Sequence, residues 1–217
     1  MGKFVNGING PISGLVGNLV ASSWRGKPYW KSRPVRKKKA GAVELAHRNS
    51  FGSTSKWLSP LTLYFRAGFK GVDPDLWAYQ GAKSYLHAHA LVSDGTTTVI
   101  DPSKMMISQG DLPLGTDFEV YYDSNTSEIC VQWNPKVSAS RKGSVSAHDT
   151  DKLMFAAYNV ESSEVFGEVY GVSRRVGSDR FEVPANRTAT YHLYAAFVAA
   201  DSSSRSDSLY LGTIDVV

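Results

Sequence analysis

The stretch Phe118–Trp133, FEVYYDSNTSEICVQW, decides how the rest of the chain is read. Phe118, Val120 and Tyr122 share one face of an extended segment, and Ile129, Val131 and Trp133 share one face of another. The polar run Asp123-Ser124-Asn125 stands between them. A period of two marks half-buried strands, and polar punctuation between two such strands marks a turn. Cys130 falls on the opposite face of the second strand, where a small buried or semi-buried residue is expected, not a nucleophile.

Working outward, further strands are expected at Lys104–Ser108, Lys152–Asn159, Val165–Val172, Arg180–Val183, Tyr191–Ala199 and Ser208–Val216. Gly110-Asp111, Gly177-Ser178-Asp179 and the run Asp201 to Ser204 punctuate them. Seven or eight short strands with polar turns predict a mainly β fold, with an antiparallel immunoglobulin-like β-sandwich over residues 97–217. Nothing alternates strand with helix, which argues against a doubly wound sheet.

Upstream the pattern changes. Ala42, Leu45, Ala46, Phe51, Trp57, Leu58, Leu61 and Phe65 fall roughly on helical spacing, with Gly52 and Pro60 breaking the run. A further helix is expected over 75–87, opened by Asp73-Pro74. Residues 41–96 are therefore read as a short helical connecting region. Residues 1–40 hold Gly7, Gly10, Gly14, Gly17, Pro11, Pro28 and Pro34, too many breakers for a long helix. Short apolar steps recur among them, so an extended N-terminal arm that packs against something is expected.

Charge is distributed very unevenly along the chain. Residues 1–70 carry 13 of the 24 lysines and arginines and one acid, Glu44, whereas residues 71–217 carry the other 11 against 19 acids. The densest basic stretch is Arg25, Lys27, Lys31, Arg33, Arg36, Lys37, Lys38 and Lys39, interleaved with Trp24, Tyr29 and Trp30. Such asymmetry is an argument about partners, not about fold.

Catalytic and ligand motifs are missing. The glycines from Gly7 to Gly17 lack the G-x-G-x-x-G spacing of dinucleotide binding, and Trp24–Pro28 is no phosphate loop, because no Ser or Thr follows Lys27. One cysteine excludes an internal disulfide framework and a thiolate zinc site. His87-Ala88-His89 could set two imidazoles on one strand face, but no third ligand stands at metal spacing. The His148–Asp151 cluster, HDTD, reads as turn capping. No G-x-S-x-G elbow is present. The chain is expected not to be an enzyme and to need no cofactor or metal. No apolar run is long enough for a membrane span. Glycines interrupt any signal-like stretch in residues 1–20, so no secretory signal is read.

Several stretches together resemble a family of proteins of roughly this length, known mainly from Bacteroidota and catalogued only as a domain of unknown function. They are Gly7–Gly26 (GINGPISGLVGNLVASSWRG), Ile107–Leu112 (ISQGDL), Asp149–Asn159 (DTDKLMFAAYN) and Tyr191–Gly212, ending in SDSLYLG. The family usually has a basic residue where Leu15 stands here. The resemblance implies a β-sandwich body with an N-terminal arm and brings no activity with it.

The expected function is that of a self-assembling structural subunit, copies of which are joined by the arm into a filament, tube or particle. An arm and a body of opposite charge use two different surfaces, and such head-to-tail contacts propagate. Val5, Ile8, Ile12, Val16, Val20 and Trp24 are the residues expected at that contact. The alternative is a nucleic-acid-binding protein using Arg25, Lys27, Lys31, Arg33, Arg36, Lys37, Lys38 and Lys39 on phosphates, with aromatic stacking. A third reading is a carbohydrate- or protein-binding module with Trp77, Tyr79 or Tyr85 as a platform.

Overall fold

Gly17 and Gly26 organise the N-terminal region. In the computed structural model both adopt left-handed backbone angles, φ 57° and 75°, inside two-residue turns that closely paired strands require. The structure describes the chain except for residues 1–2, 5–9, 11, 25, 36–38, 40, 74–75, 94–97, 137–144, 185–187 and 217. It divides into two compact units, Met1–Ala46 and His47–Val217.

The first unit holds four antiparallel strands in chain order: β1 (Lys3–Phe4), β2 (Ile12–Val16), β3 (Leu19–Trp24) and β4 (Lys27–Ser32). Where an extended arm is expected, β2, β3 and β4 pair with one another instead. Gly17 and Gly26 are turn residues, Gly14 lies within β2, and the apolar residues Ile12, Leu15, Val16, Leu19 and Val20 are strand positions. The Arg33 N–H donates to the Asn18 carbonyl at 2.7 Å and closes the β4 end against the first turn.

Three helices follow: α1 (Ala42–Leu58), whose first residues belong to the first unit, and then α2 (Thr62–Gly68) and α3 (Ala78–His89) in the second. Pro60 separates α1 from α2 as the sequence predicts. Gly52 does not break α1, because it lies on an open surface where the helix continues at modest cost. A small hairpin, β5 (Leu91–Ser93) with β6 (Thr98–Ile100), follows α3.

Seven strands complete the unit. β7 (Thr116–Asp123), β8 (Glu128–Asn134) and β11 (Ser178–Glu182) form one sheet, ordered β11-β8-β7. β9 (Lys152–Asn159), β10 (Glu164–Glu168), β12 (Ala189–Val198) and β13 (Leu209–Val216) form another, ordered β10-β9-β12-β13. All pairings are antiparallel, and the fold is mainly β.

β9 and β12 are buried on both faces. Leu153, Phe155, Ala157, Leu193, Ala195 and Phe197 share a core with Ile129, Val131, Trp133 and Phe181 of the three-stranded sheet. The alternate residues Met154, Ala156, Tyr158, Tyr194, Ala196 and Val198 pack against Trp57, Leu58, Phe65 and Leu86 of the helices. The unit thus has three layers, helices on sheet on sheet. Tyr158 ties two of them. Its ring meets Trp57 edge-on at 5.0 Å, and its hydroxyl donates to the Trp57 carbonyl at 3.0 Å.

The strand expected at Lys104–Ser108 is not formed. Asp101 caps a short 3-10 turn over Pro102–Lys104 by accepting from the Ser103 N–H at 3.0 Å. Met105 and Ile107 beyond it are buried, and the Ile107 N–H is satisfied by the Ser208 hydroxyl at 2.9 Å instead of by a neighbouring strand.

Candidate interaction surfaces

The register of β2, β3 and β4 sorts the N-terminal residues onto two unlike faces. Directly paired residues lie on the same side of an antiparallel sheet. Leu15 pairs with Val20 and Val20 with Lys31, while Ser22 pairs with Tyr29 and Trp24 with Lys27. One face therefore carries Trp24, Tyr29, Lys27 and Lys31 around Leu15 and Val20. The other carries Val16 paired with Leu19, and Ala21 paired with Trp30, along with Ile12 and Pro28. That second face bears no charge among the described residues of β2, β3 and β4.

Both faces expose large apolar groups. Val16, Leu19 and Trp30 are 45%, 47% and 50% exposed on the neutral face, and Trp24 is 66% exposed on the basic one. Of the residues expected at an assembly contact, Ile12 and Val16 fall on the neutral face and Val20 and Trp24 on the basic face. Val5 and Ile8 lie outside the described residues. Of the basic set, Lys27 and Lys31 sit on the basic face, and Arg33 and Lys39 follow β4 as exposed residues. Arg25, Arg36, Lys37 and Lys38 lie outside the described residues.

A third surface is the outer face of the sheet β11-β8-β7. Its inner residues Ile129, Val131 and Phe181 are core, so the intervening positions point outward. They are Glu119, Tyr121 and Asp123 on β7, Glu128, Cys130 and Gln132 on β8, and Arg180 and Glu182 on β11. Asp123, Glu128 and Glu182 stand in one row across the three strands. Arg180 is the single cation among these outward positions and lies 3.6 Å from Glu128. Cys130 is buried beneath this face. The sequence alone does not reveal the surface, because Asp123 and Glu182 are brought into one row only by strand pairing.

The histidine and carboxylate clusters resolve into structural roles. His87 and His89 end α3 and do not share a strand face. Two residues apart on a helix they point to different sides, His87 stacked on Phe51 and His89 against Tyr85. Among the described residues no group of three potential ligands could hold a metal ion. The HDTD run is a turn, closed by the His148 N–H donating to the Asp151 carboxylate at 2.9 Å. That carboxylate also lies 3.3 Å from Nε of Arg174, both side chains being 1% exposed.

Sequence reasoning missed Arg174, which nothing in the run Ser173-Arg174-Arg175 distinguishes from a surface arginine. Its Nη2 donates to the Pro113 carbonyl at 2.8 Å, and its guanidinium lies over the Phe197 ring at 3.7 Å. Burial pushes its pKa down, and Asp151 pulls the other way. A cleft of about 590 Å³ opens beside it, lined by Lys136, His148, Asp149 and Arg175 among others. Arg174 Nη1 is buried and makes no hydrogen bond; the ion pair with Asp151 and the contact with the Phe197 ring hold the guanidinium in the core. The aromatic platform of the third reading is not assembled either. Tyr79 and Tyr85 pack against the helical core, and Trp77 alone is exposed.

The model of a family of unknown function, DUF6266, matches residues 11–212. No curated protein and no solved structure matches the chain.

Proposed function

We propose, from the premise that this chain belongs to DUF6266, a family without an assigned activity, that it is a self-assembling structural subunit joined to its neighbours through residues 1–40. One observation carries the reading: the four-stranded sheet of the first unit exposes Val16, Leu19 and Trp30 on an uncharged face and Trp24 on the other. A sheet needs a partner over its apolar face to be stable in water. The occupant assigned is a second copy, because the other face of the same sheet, with Lys27 and Lys31, is opposite in charge to the outer face of β7, β8 and β11, and two unlike surfaces on one chain join copies into an open assembly.

Light scattering after size exclusion tests this on the full chain and on Leu19→Lys. Large assemblies from the full chain that fall to single chains in Leu19→Lys support the reading. A single-chain mass for the unaltered protein overturns it.

A second reading rests on the basic face. Trp24 and Tyr29 share it with Lys27 and Lys31, the combination that binds single-stranded nucleic acid through stacking and phosphate contacts. Binding of a fluorescent single-stranded oligonucleotide that weakens steeply with salt, and drops about tenfold in Trp24→Ala, would favour it.

The body is read further as an immunoglobulin-like sandwich. What supports this is the strand order. The first, second and fifth of the seven strands β7–β13 share one sheet, and the third, sixth and seventh share the other. The fourth, β10, joins β9, whereas in a constant-type immunoglobulin domain it joins the first sheet.

A further inference from the structure

The basic face of the N-terminal sheet and the acidic face of the body carry the same pattern with the signs exchanged. β4 presents Lys27, Tyr29 and Lys31 at alternate positions, and β7 presents Glu119, Tyr121 and Asp123 at alternate positions. In each triad the outer charges are four residues apart, about 13 Å along a strand, with a tyrosine midway. Tyr29 is 39% exposed and Tyr121 is 45% exposed, so both rings project with the charges.

The flanking residues extend the match. Beside Lys27 stands Trp24, and beside Asp123 stand Glu128 and Glu182 in the same row. β3 and β4 have six residues each against eight and seven in β7 and β8. The smaller surface therefore fits within the larger. Twisted sheets pack face to face at about 10 Å, a separation that lysine and glutamate side chains span while two tyrosines fill the gap.

We propose that the β3–β4 face of one copy docks on the outer face of the β11-β8-β7 sheet of a second copy, with Lys27 and Lys31 opposite Glu119 and Asp123. This rests on the self-assembly reading and adds to it a contact through the other, basic face of the same sheet, with the acceptor surface that takes it. The contact is heterologous: each copy has one donor face and one acceptor face, so copies join in a row. Opposite charges fix the register and reject the like-charged pairings, donor on donor and acceptor on acceptor.

The test is a charge exchange in the full chain. Lys27→Glu with Lys31→Glu reverses the donor. Glu119→Lys, Asp123→Asn and Glu182→Lys together reverse the acceptor. Asn is chosen at 123 because the Asp123 carboxylate accepts from the Asn125 N–H at 3.0 Å, a bond that Asn retains. Each set alone is expected to weaken self-association at least tenfold at about 50 mM salt, read as weight-average mass by light scattering. Mixing the two variants one to one, or combining all five substitutions in one chain, is expected to restore it. Restoration also shows that both variants are folded.

An acceptor variant that assembles like the unaltered chain overturns this docking while self-assembly stands, and so does failure of the mixture and of the five-fold variant alike. An unaltered chain that stays single overturns both.

Discussion

Arg174 and Asp151 form an ion pair sealed inside the body, each side chain 1% exposed, with Nε 3.3 Å from Oδ2. Two loops meet at this pair: the Arg174 N–H donates to the Asp151 carbonyl at 2.7 Å, and the Trp133 indole donates to the Arg174 carbonyl at 2.9 Å. The pair therefore fixes where the strand β9 begins relative to the turn before β11.

Removing one partner leaves the other charge buried without compensation. Arg174→Met is expected to lower unfolding stability by about 3–5 kcal/mol, whereas removing both charges in Arg174→Met with Asp151→Asn costs less than the single change. Urea titrations of the three proteins check this. A double variant weaker than Arg174→Met would show that the Asp151 charge has other work, such as holding the His148 N–H.

Two glycines are expected to respond in opposite directions. Gly52 lies mid-helix with open space around it, so Gly52→Ala should stabilise by about 0.5–1 kcal/mol. Gly167 sits on β10 at φ 126°, where a Cβ would run into the Phe155 carbonyl of the adjacent strand. Gly167→Ala combines backbone strain with overpacking and should cost about 2–4 kcal/mol. Thermal melts of both variants against the unaltered chain give the comparison.

The contrast shows what the sequence could convey. Ile129, Val131 and Trp133 were legible because one side of β8 is core and the other, apart from the buried Cys130, carries polar residues, so hydropathy follows a period of two. β9 has no such period, since Met154 and Tyr158 pack under helices while Leu153 and Phe155 face the second sheet. Its residues could be assigned to a strand, but the helical layer above them could not be foreseen. Met105 and Ile107 mimic a strand because both are buried, although the Met105 N–H bonds to the Pro102 carbonyl and the Ile107 N–H to the Ser208 hydroxyl, not to a ladder. The split of Val16 from Val20 depends on pairing register, which two turn glycines set and composition does not express. Arg174 gave no signal, because burial of a cation paired with a distant carboxylate is a property of the assembled core.

Stability should fall on mild acidification. Burial pushes the His192 imidazole below its ordinary 6.5, against a smaller opposing pull from Asp101. Burial, with Lys83 nearby, does the same to His87. The unfolded chain takes up these protons near 6.5, and the folded chain only at lower pH. Between those points the unfolded state binds more protons, so stability is retained in full above about pH 6.5 and declines as the pH drops below it. The partly buried His192 Nδ1 lies 2.9 Å from the Tyr210 hydroxyl. His192→Gln should therefore flatten the decline in urea midpoint between about pH 6.5 and 5. An unchanged slope would move the effect to His87.

Salt should separate the two faces of the N-terminal sheet. Charges at the basic face act through a field whose range is about 10 Å at 0.1 M salt and about 3 Å at 1 M, whereas burial of Leu19 or Trp30 does not depend on that range. Lys27→Glu with Lys31→Glu is therefore expected to lose assembly at about 50 mM salt and to converge on the unaltered chain near 1 M. Leu19→Lys, which places a charge on the apolar face, should stay dissociated throughout, since the cost of burying that charge outlasts screening. Sedimentation of the three proteins across the salt range distinguishes the cases. Parallel curves for the two lysine substitutions and the unaltered chain, with no convergence, would mean that Lys27 and Lys31 act by shape and not by charge.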